Sequence, residues 1–186
     1  MPTNYQLISV VDRAVPYTEA LAWQYAAQSA RQLGLRPDTL FLLEHPPVIT
    51  LGRSSVPERD LLTPTEELLA QGIEVYEADR GGEITYHAPG QLVGYPILEL
   101  RESSGERDLH AYLRNLEQVI IETIGHWGIE GHRKAGLTGV WVGDNKIAAM
   151  GIKVSRWVTM HGFALNIDAD LTPMRRDIVP CGIHNF

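Results

Sequence analysis

With 186 residues, 44% of them apolar and 21% charged, the chain has an ordinary globular composition, which excludes disordered and fibrous classes. A formal net charge of -7 argues against nucleic acid as a main partner, because phosphate binding needs basic surface. No apolar run approaches the ~18 residues of a membrane span, the start "MPTNYQLISV" carries no leader pattern, and a single cysteine cannot close an internal disulfide; a cytoplasmic protein without membrane association is expected.

Read in chain order, "LISVV" predicts a first strand and "YTEALAWQYAAQSARQLG" a helix with Thr18 as its N-cap and Gly34 at its end. "TLFLLEH" and "VITLG" predict two strands joined by a rigid Pro46-Pro47 turn, followed by a polar loop over 52–60. In "TPTEELLAQG", Thr63 and Glu66 have capping-box spacing, Pro64 falls at the first helical position and Gly72 follows the end, so a short helix is predicted. Strand-like content then runs through "IEVYEADR", "EITYHAPG" and "QLVGYPILEL".

From Asp108, apolar residues recur at Leu109, Tyr112, Leu113, Leu116, Ile120, Ile124 and Trp127, the spacing of one helix face. "LTGVWVGDNKIAAMGIKVSRWVTMHGFALNI" alternates around "GDN" and "SRW", predicting a three-stranded antiparallel meander whose first turn delivers Lys146 to the start of a strand. Without repeats or linkers, the sum is a single α+β domain over residues 1–186, a mixed or antiparallel sheet covered by helices.

Neither a phosphate loop of the GxxxxGK[ST] kind nor a strand-GxGxxG-helix unit is present. The histidines at 45, 87, 110, 126, 132, 161 and 184 show no metal-site spacing, so no metal and no cofactor are expected. "DRGGEITYHAPGQLVGYP" concentrates special residues: paired glycines admit a ligand to the backbone beside the donors Arg80, Thr85, Tyr86, His87 and Gln91. The same stretch reads equally as a Gly-Gly bulge and a Pro-Gly turn, Lys146 alone as a solvated hairpin residue, and Cys181 alone as a small buried hydrophobe.

Together, "RGGEITYHAPGQLVGYPI", "GVWVGDNKIAAMGIKV", "MHGFALNI" and "IVPCGI" resemble, in order, the motifs of the octanoyltransferase family of lipoate biosynthesis, the lipoate-protein ligase B family. The resemblance implies a fold like the catalytic domain of biotin and lipoate protein ligases. It also implies transfer of an octanoyl group from octanoyl-acyl carrier protein to a lysine of lipoyl domains, those of 2-oxoacid dehydrogenases and of the glycine cleavage H protein. By the same resemblance Cys181 accepts the acyl group and Lys146 is its partner. The acyl site falls on Arg80, Gly81, Gly82, Glu83, Ile84, Thr85, Tyr86 and His87, on Ala149, Met150 and Gly151, and on Gly162, Phe163 and Ala164.

Family members usually continue beyond the cysteine motif, so a chain stopping at Phe186 is expected to lack the usual C-terminal tail. Burial of an eight-carbon chain contributes at most about 5 to 6 kcal/mol at ~0.8 per CH2, so acyl recognition needs only an apolar slot. Small residues at "AAMG" and "HGFA" are expected to keep that slot open, and backbone donors near Gly81-Gly82 or the Cys181 turn to stabilise an oxyanion. Arg133-Lys134, Lys153-Arg156 and Arg175-Arg176 are the basic groups expected to dock the acidic carrier. The rival readings are an ATP-dependent lipoate or biotin ligase, a catalytically idle binding module and a cysteine protease.

Overall fold

The computed structural model describes residues 5–101 and 107–179. The first strand, β1 (Tyr5–Ser9), runs parallel to β2 (Asp38–Leu43), with α1 (Tyr17–Gln32) as the crossover. The helix starts at Tyr17 with Pro16 in the N-cap position and no side-chain cap, so the expected role of Thr18 is not realised. A proline just ahead of the first turn loses nothing there, because no helical carbonyl waits for its missing N–H. Gly34, at φ 72°, takes the left-handed conformation beyond the helix end, as its type suggests.

The Pro46-Pro47 turn does more than join two strands: it carries the chain from one sheet into another. β3 (Val48–Leu51) pairs in parallel with β4 (Glu74–Glu77) and antiparallel with β5 (Ile84–His87), forming a three-stranded sheet. Between β3 and β4 lie α2 (Pro57–Asp60), within the stretch expected to be loop, and α3 (Thr65–Ala70). The capping box does not form. Pro64 occupies the N-cap position, and Thr63 Oγ1 donates instead to Asp177 Oδ1 at 2.8 Å. Asp177 is fully buried, and a buried carboxylate gains more from a donor than a solvated helix end does.

The main sheet has six strands in the order β1-β2-β6-β9-β8-β7, with β6 (Gln91–Ile97), β7 (Val140–Val142), β8 (Asn145–Ser155) and β9 (Val158–Asn166). The predicted meander is β7-β8-β9. Its second turn places Arg156 and Trp157 at φ 46° and 60°, the double positive φ of a twisted two-residue hairpin. The long amphipathic helix is α4 (Leu109–Gly125), capped by Asp108 Oδ1, which accepts from the His110 and Ala111 N–H groups at 2.8 and 3.1 Å. Tyr112, Leu116, Ile120 and Ile124 are buried, whereas Leu109 and Trp127 at the ends of the predicted stripe are exposed. A short helix, α5 (Thr172–Asp177), closes the described chain.

The fold is thus α+β with mixed strand directions, divided between two sheets where one was expected. Ala20 and Ala27 of α1 pack on Phe41, Leu43, Val93, Ile97 and Met160 of the main sheet. Ile49, Ile84, Tyr86, Leu68 and Ile178 form a second cluster around the small sheet. Ile120 and Ile124 of α4 cover Val140, Ala148 and Leu165. The loop from β4 to β5 lies against β8, which brings the two sheets to one site.

Candidate active site

Two cavities share a wall where β5 faces β8 and β9. The inner one, about 80 Å³, is reached by Arg80, Gly82, Glu83, Ile84, Thr85, His87, Lys146, Ala149, Met150, Gly151, Gly162, Phe163 and Ala164. The outer one, about 430 Å³, is lined in part by Tyr86, Lys146, Met174, Arg175, Ile178 and Val179. Ile84, Thr85, Lys146, Ala149 and Ala164 belong to both. Residues from three separate motifs therefore converge on these cavities. Tyr86 lines only the outer cavity, Gly81 lines neither, and Cys181 lies outside the described residues.

Arg80 sits at the heart of this convergence, but its guanidinium grips the protein's own backbone. Nη2 donates to Thr50 O and Thr50 Oγ1 at 2.9 and 2.8 Å, and Nη1 to Glu83 O and Gly81 O at 2.8 and 3.1 Å. A planar fork can satisfy carbonyls on both sides of a turn at once, and here it fastens the 80–83 loop to β3. Three backbone bonds join in: Arg53 N to Arg80 O, Ser54 N to Gly82 O and Gly81 N to Ile152 O. The last of these engages the Gly81 N–H at 2.8 Å, so that group does not supply the expected oxyanion donor.

Gly151 shows why small residues occur here. A Cβ on it would lie 3.0 Å from both Arg80 Cδ and Gly81 O, so the missing side chain admits the loop to β8. Close backbone approach is thus a reason of its own for a glycine at 151, beside the expected lining of an acyl slot.

Beside the inner cavity lies a buried polar cluster of which the sequence reading had named only His87 and Gln91 as donors. His45 Nδ1 is 2.6 Å from Val15 O and must carry the proton, leaving Nε2 to accept from the Tyr95 hydroxyl at 2.7 Å. Gln91 Nε2 donates to Asn166 Oδ1 and Tyr86 O, so its Oε1 faces His87 Nδ1–H at 2.6 Å. His161 adopts φ 57°, donates its backbone N–H to Gln24 Oε1, and sets Nε2 2.8 Å from Asp79 Oδ1. Tyr17, also buried, has a hydroxyl without a hydrogen-bond partner among the described residues, and burial pushes it up to about 12. Tyr17, Tyr95 and His161 all reach the inner cavity; Tyr95 lies inside "RGGEITYHAPGQLVGYPI" and His161 inside "MHGFALNI", whereas Tyr17 had no motif to mark it.

Asp79 anchors the loop from the other side. Burial alone would raise its carboxyl, but hydrogen bonds from Lys153, Tyr25 and His161 outweigh this and hold it well below the usual range. Lys153, Tyr25 and His161 come from β8, α1 and β9, so one carboxylate ties three elements to the residue preceding Arg80.

Burial lowers His45 to about 4, against a weaker opposing bond to Val15. Burial likewise lowers His87 to about 3, with the His45 and Arg80 charges acting in the same direction. Both rings are neutral in the folded protein, whereas in the unfolded chain they take up protons below about 6.5. Stability is therefore fully present above pH 6.5 and falls with pH through the 6.5 to 4 window. From pH 7 to pH 5 the unfolding free energy is expected to drop by roughly 3 to 4 kcal/mol. Urea midpoints at the two pH values measure this, and equal midpoints would contradict neutral buried rings.

The expected docking groups are mostly paired within the molecule. Arg133 bonds the fully buried Glu117, Lys134 pairs with Asp144, Lys153 with Asp79 and Arg176 with Asp177. Arg175 lines the outer cavity. Among the described residues no helix is long and apolar enough to cross a membrane.

Residues 16–185 match the sequence profile of the lipoyl protein ligase A/B catalytic domain. The chain belongs to this family. Among curated relatives, an octanoyltransferase of Gloeobacter violaceus is 56% identical over 170 residues, covering 91% of this chain and 72% of the relative. One of Solibacter usitatus is 53% identical over 169 residues, with 91% and 75% covered. Among solved structures, a lipoate-protein ligase A bound with ATP superposes with TM-score 0.79 at 15% identity, over 97% of this chain and 72% of that one. At that identity the superposition establishes the fold: the chain is built as a lipoate-protein ligase catalytic domain.

Proposed function

We propose that the chain transfers an octanoyl group from octanoyl-acyl carrier protein to a lysine of lipoyl domains, such as those of 2-oxoacid dehydrogenases and the glycine cleavage H protein, through a thioester on Cys181. The relatives of about 50% identity are octanoyltransferases by name. One observation carries the residue-level reading: Lys146 and Val179 line the same outer cavity. Cys181 follows Val179 by two residues in the sequence. A cavity of 430 Å³ is in the size range of small-molecule sites.

In the first step the Cys181 thiolate attacks the donor thioester carbonyl; a new C–S bond forms, and the carrier thiolate leaves and takes a proton through Lys146. In the second, the unprotonated amine of the target lysine attacks the enzyme thioester. An amide forms, the amine's surplus proton is lost, and the Cys181 thiolate returns. Thioester exchange is nearly even in energy and amide formation is downhill, so the reaction needs no nucleotide. Arg175, at the rim of the outer cavity, is the basic group best placed to meet an acidic carrier. The protein incubated with octanoyl-acyl carrier protein and a lipoyl domain, without ATP, is expected to leave an octanoyl amide on the domain. Transfer that instead requires ATP and a free acid would replace this reading with that of a ligase.

A further inference from the structure

Lys146 reaches the cavities from an unusual stretch of strand. Its cross-strand partner is Trp141, and the β7-β8 register slips between Val140 and Trp141: Val140 faces Ala148 and Trp141 faces Lys146, leaving Ile147 as an extra residue. A bulge of this kind re-aims the side chain beside it. The Lys146 ammonium lies 5.3 Å from the centre of the Trp141 ring, within cation–π range. Trp141 is itself buried, and its backbone exchanges two 2.9 Å hydrogen bonds with His132.

The other side of the lysine stem is walled by backbone. Gly139 has φ 147°, and a Cβ there would sit 2.5 Å from Lys146 Cε and 2.7 Å from Ala148 O. Gly139 is pinned by Glu117, whose side chain has no exposed surface: Oε1 accepts from Gly139 N–H at 2.9 Å, and Oε2 from Arg114 and Arg133 at 2.8 Å each. One buried carboxylate thus holds both ends of the 133–139 segment, two residues ahead of Trp141. The inner cavity adds Arg80, Glu83, His87 and His161 around Lys146, and the outer cavity Arg175.

We infer that Trp141 and Glu117 are positioning residues for the proposed transfer: the Trp141 face and the Glu117-clamped Gly139 backbone form a sleeve that fixes where the Lys146 ammonium enters the two cavities. The inference rests on the reading of Lys146 as the cation beside Cys181. Neither residue touches the acyl group.

Because the chain has a single cysteine, its alkylation by iodoacetamide as a function of pH reports this arrangement without ambiguity. Trp141→Leu is expected to raise the alkylation midpoint by roughly half a pH unit or more, and Trp141→Phe, which keeps an aromatic face, by less. Glu117→Gln is expected to move it in the same direction, with kcat for octanoyl transfer lowered and KM for the donor unchanged. If Trp141→Leu does not fold, Trp141→Phe and Glu117→Gln carry the test. Lys146→Met separates the two layers of argument. If it leaves the midpoint in place, the reading of Lys146 falls and this inference with it. If it moves the midpoint while the Trp141 and Glu117 variants lose only melting temperature, the positioning inference alone is overturned.

Discussion

Replacing Cys181 by serine is expected to abolish acyl loading: wild-type protein incubated with octanoyl-acyl carrier protein gains one octanoyl mass, and Cys181→Ser gains none. Transfer to the lipoyl domain falls by about three orders of magnitude or more, the scale of losing a nucleophile. A free thiol is only a few per cent ionised at neutral pH, and a neighbouring cation raises that fraction. At about 4 Å and an effective dielectric of about 20, an ammonium attracts a thiolate by roughly 4 kcal/mol before desolvation. A serine hydroxyl stays protonated even with that help. An octanoyl adduct that persists in Cys181→Ser, or a wild type that never loads, would refute the thioester route.

The second large effect is expected at Arg80. Arg80→Lys keeps the charge but replaces a planar fork with a point donor, which cannot reach Thr50, Gly81 and Glu83 together. At least two buried carbonyl contacts are lost at ~1 to 3 kcal/mol each, so the unfolding free energy drops by roughly 3 kcal/mol. Octanoyl transfer is expected to fall about a hundredfold as the 80–83 loop shifts against β8. Denaturant midpoints and kcat/KM measure the pair of effects. If Arg80→Lys kept its stability and lost only donor KM, the guanidinium would be a substrate contact and not the lock described here.

That lock illustrates what was legible and what was not. "DRGG" marked a candidate loop through residue type alone, yet residue type does not say whether a guanidinium faces a ligand or a carbonyl. The answer depends on Thr50, thirty residues earlier, being brought beneath it by pairing of β3 with β5. Thr63 taught the same lesson: local spacing favoured a helix cap, and a buried Asp177 from far along the chain drew its hydroxyl away. His45 and Tyr17 carried no local pattern, because their association with Tyr95 and its neighbours is a property of packing between α1 and the two sheets.

What the sequence determined by itself were features whose energetics are local or repetitive. The period of α4 and the meander with its tight second turn follow from short stretches. Only the tertiary structure decided that Pro46-Pro47 switches sheets, that the Gly81 N–H is engaged by β8, and that Lys146 lies against Trp141 and Gly139. The physical reason is burial: a polar group's partner inside a protein is chosen by which unsatisfied group lies nearest once water is excluded, and that neighbour is set by the fold.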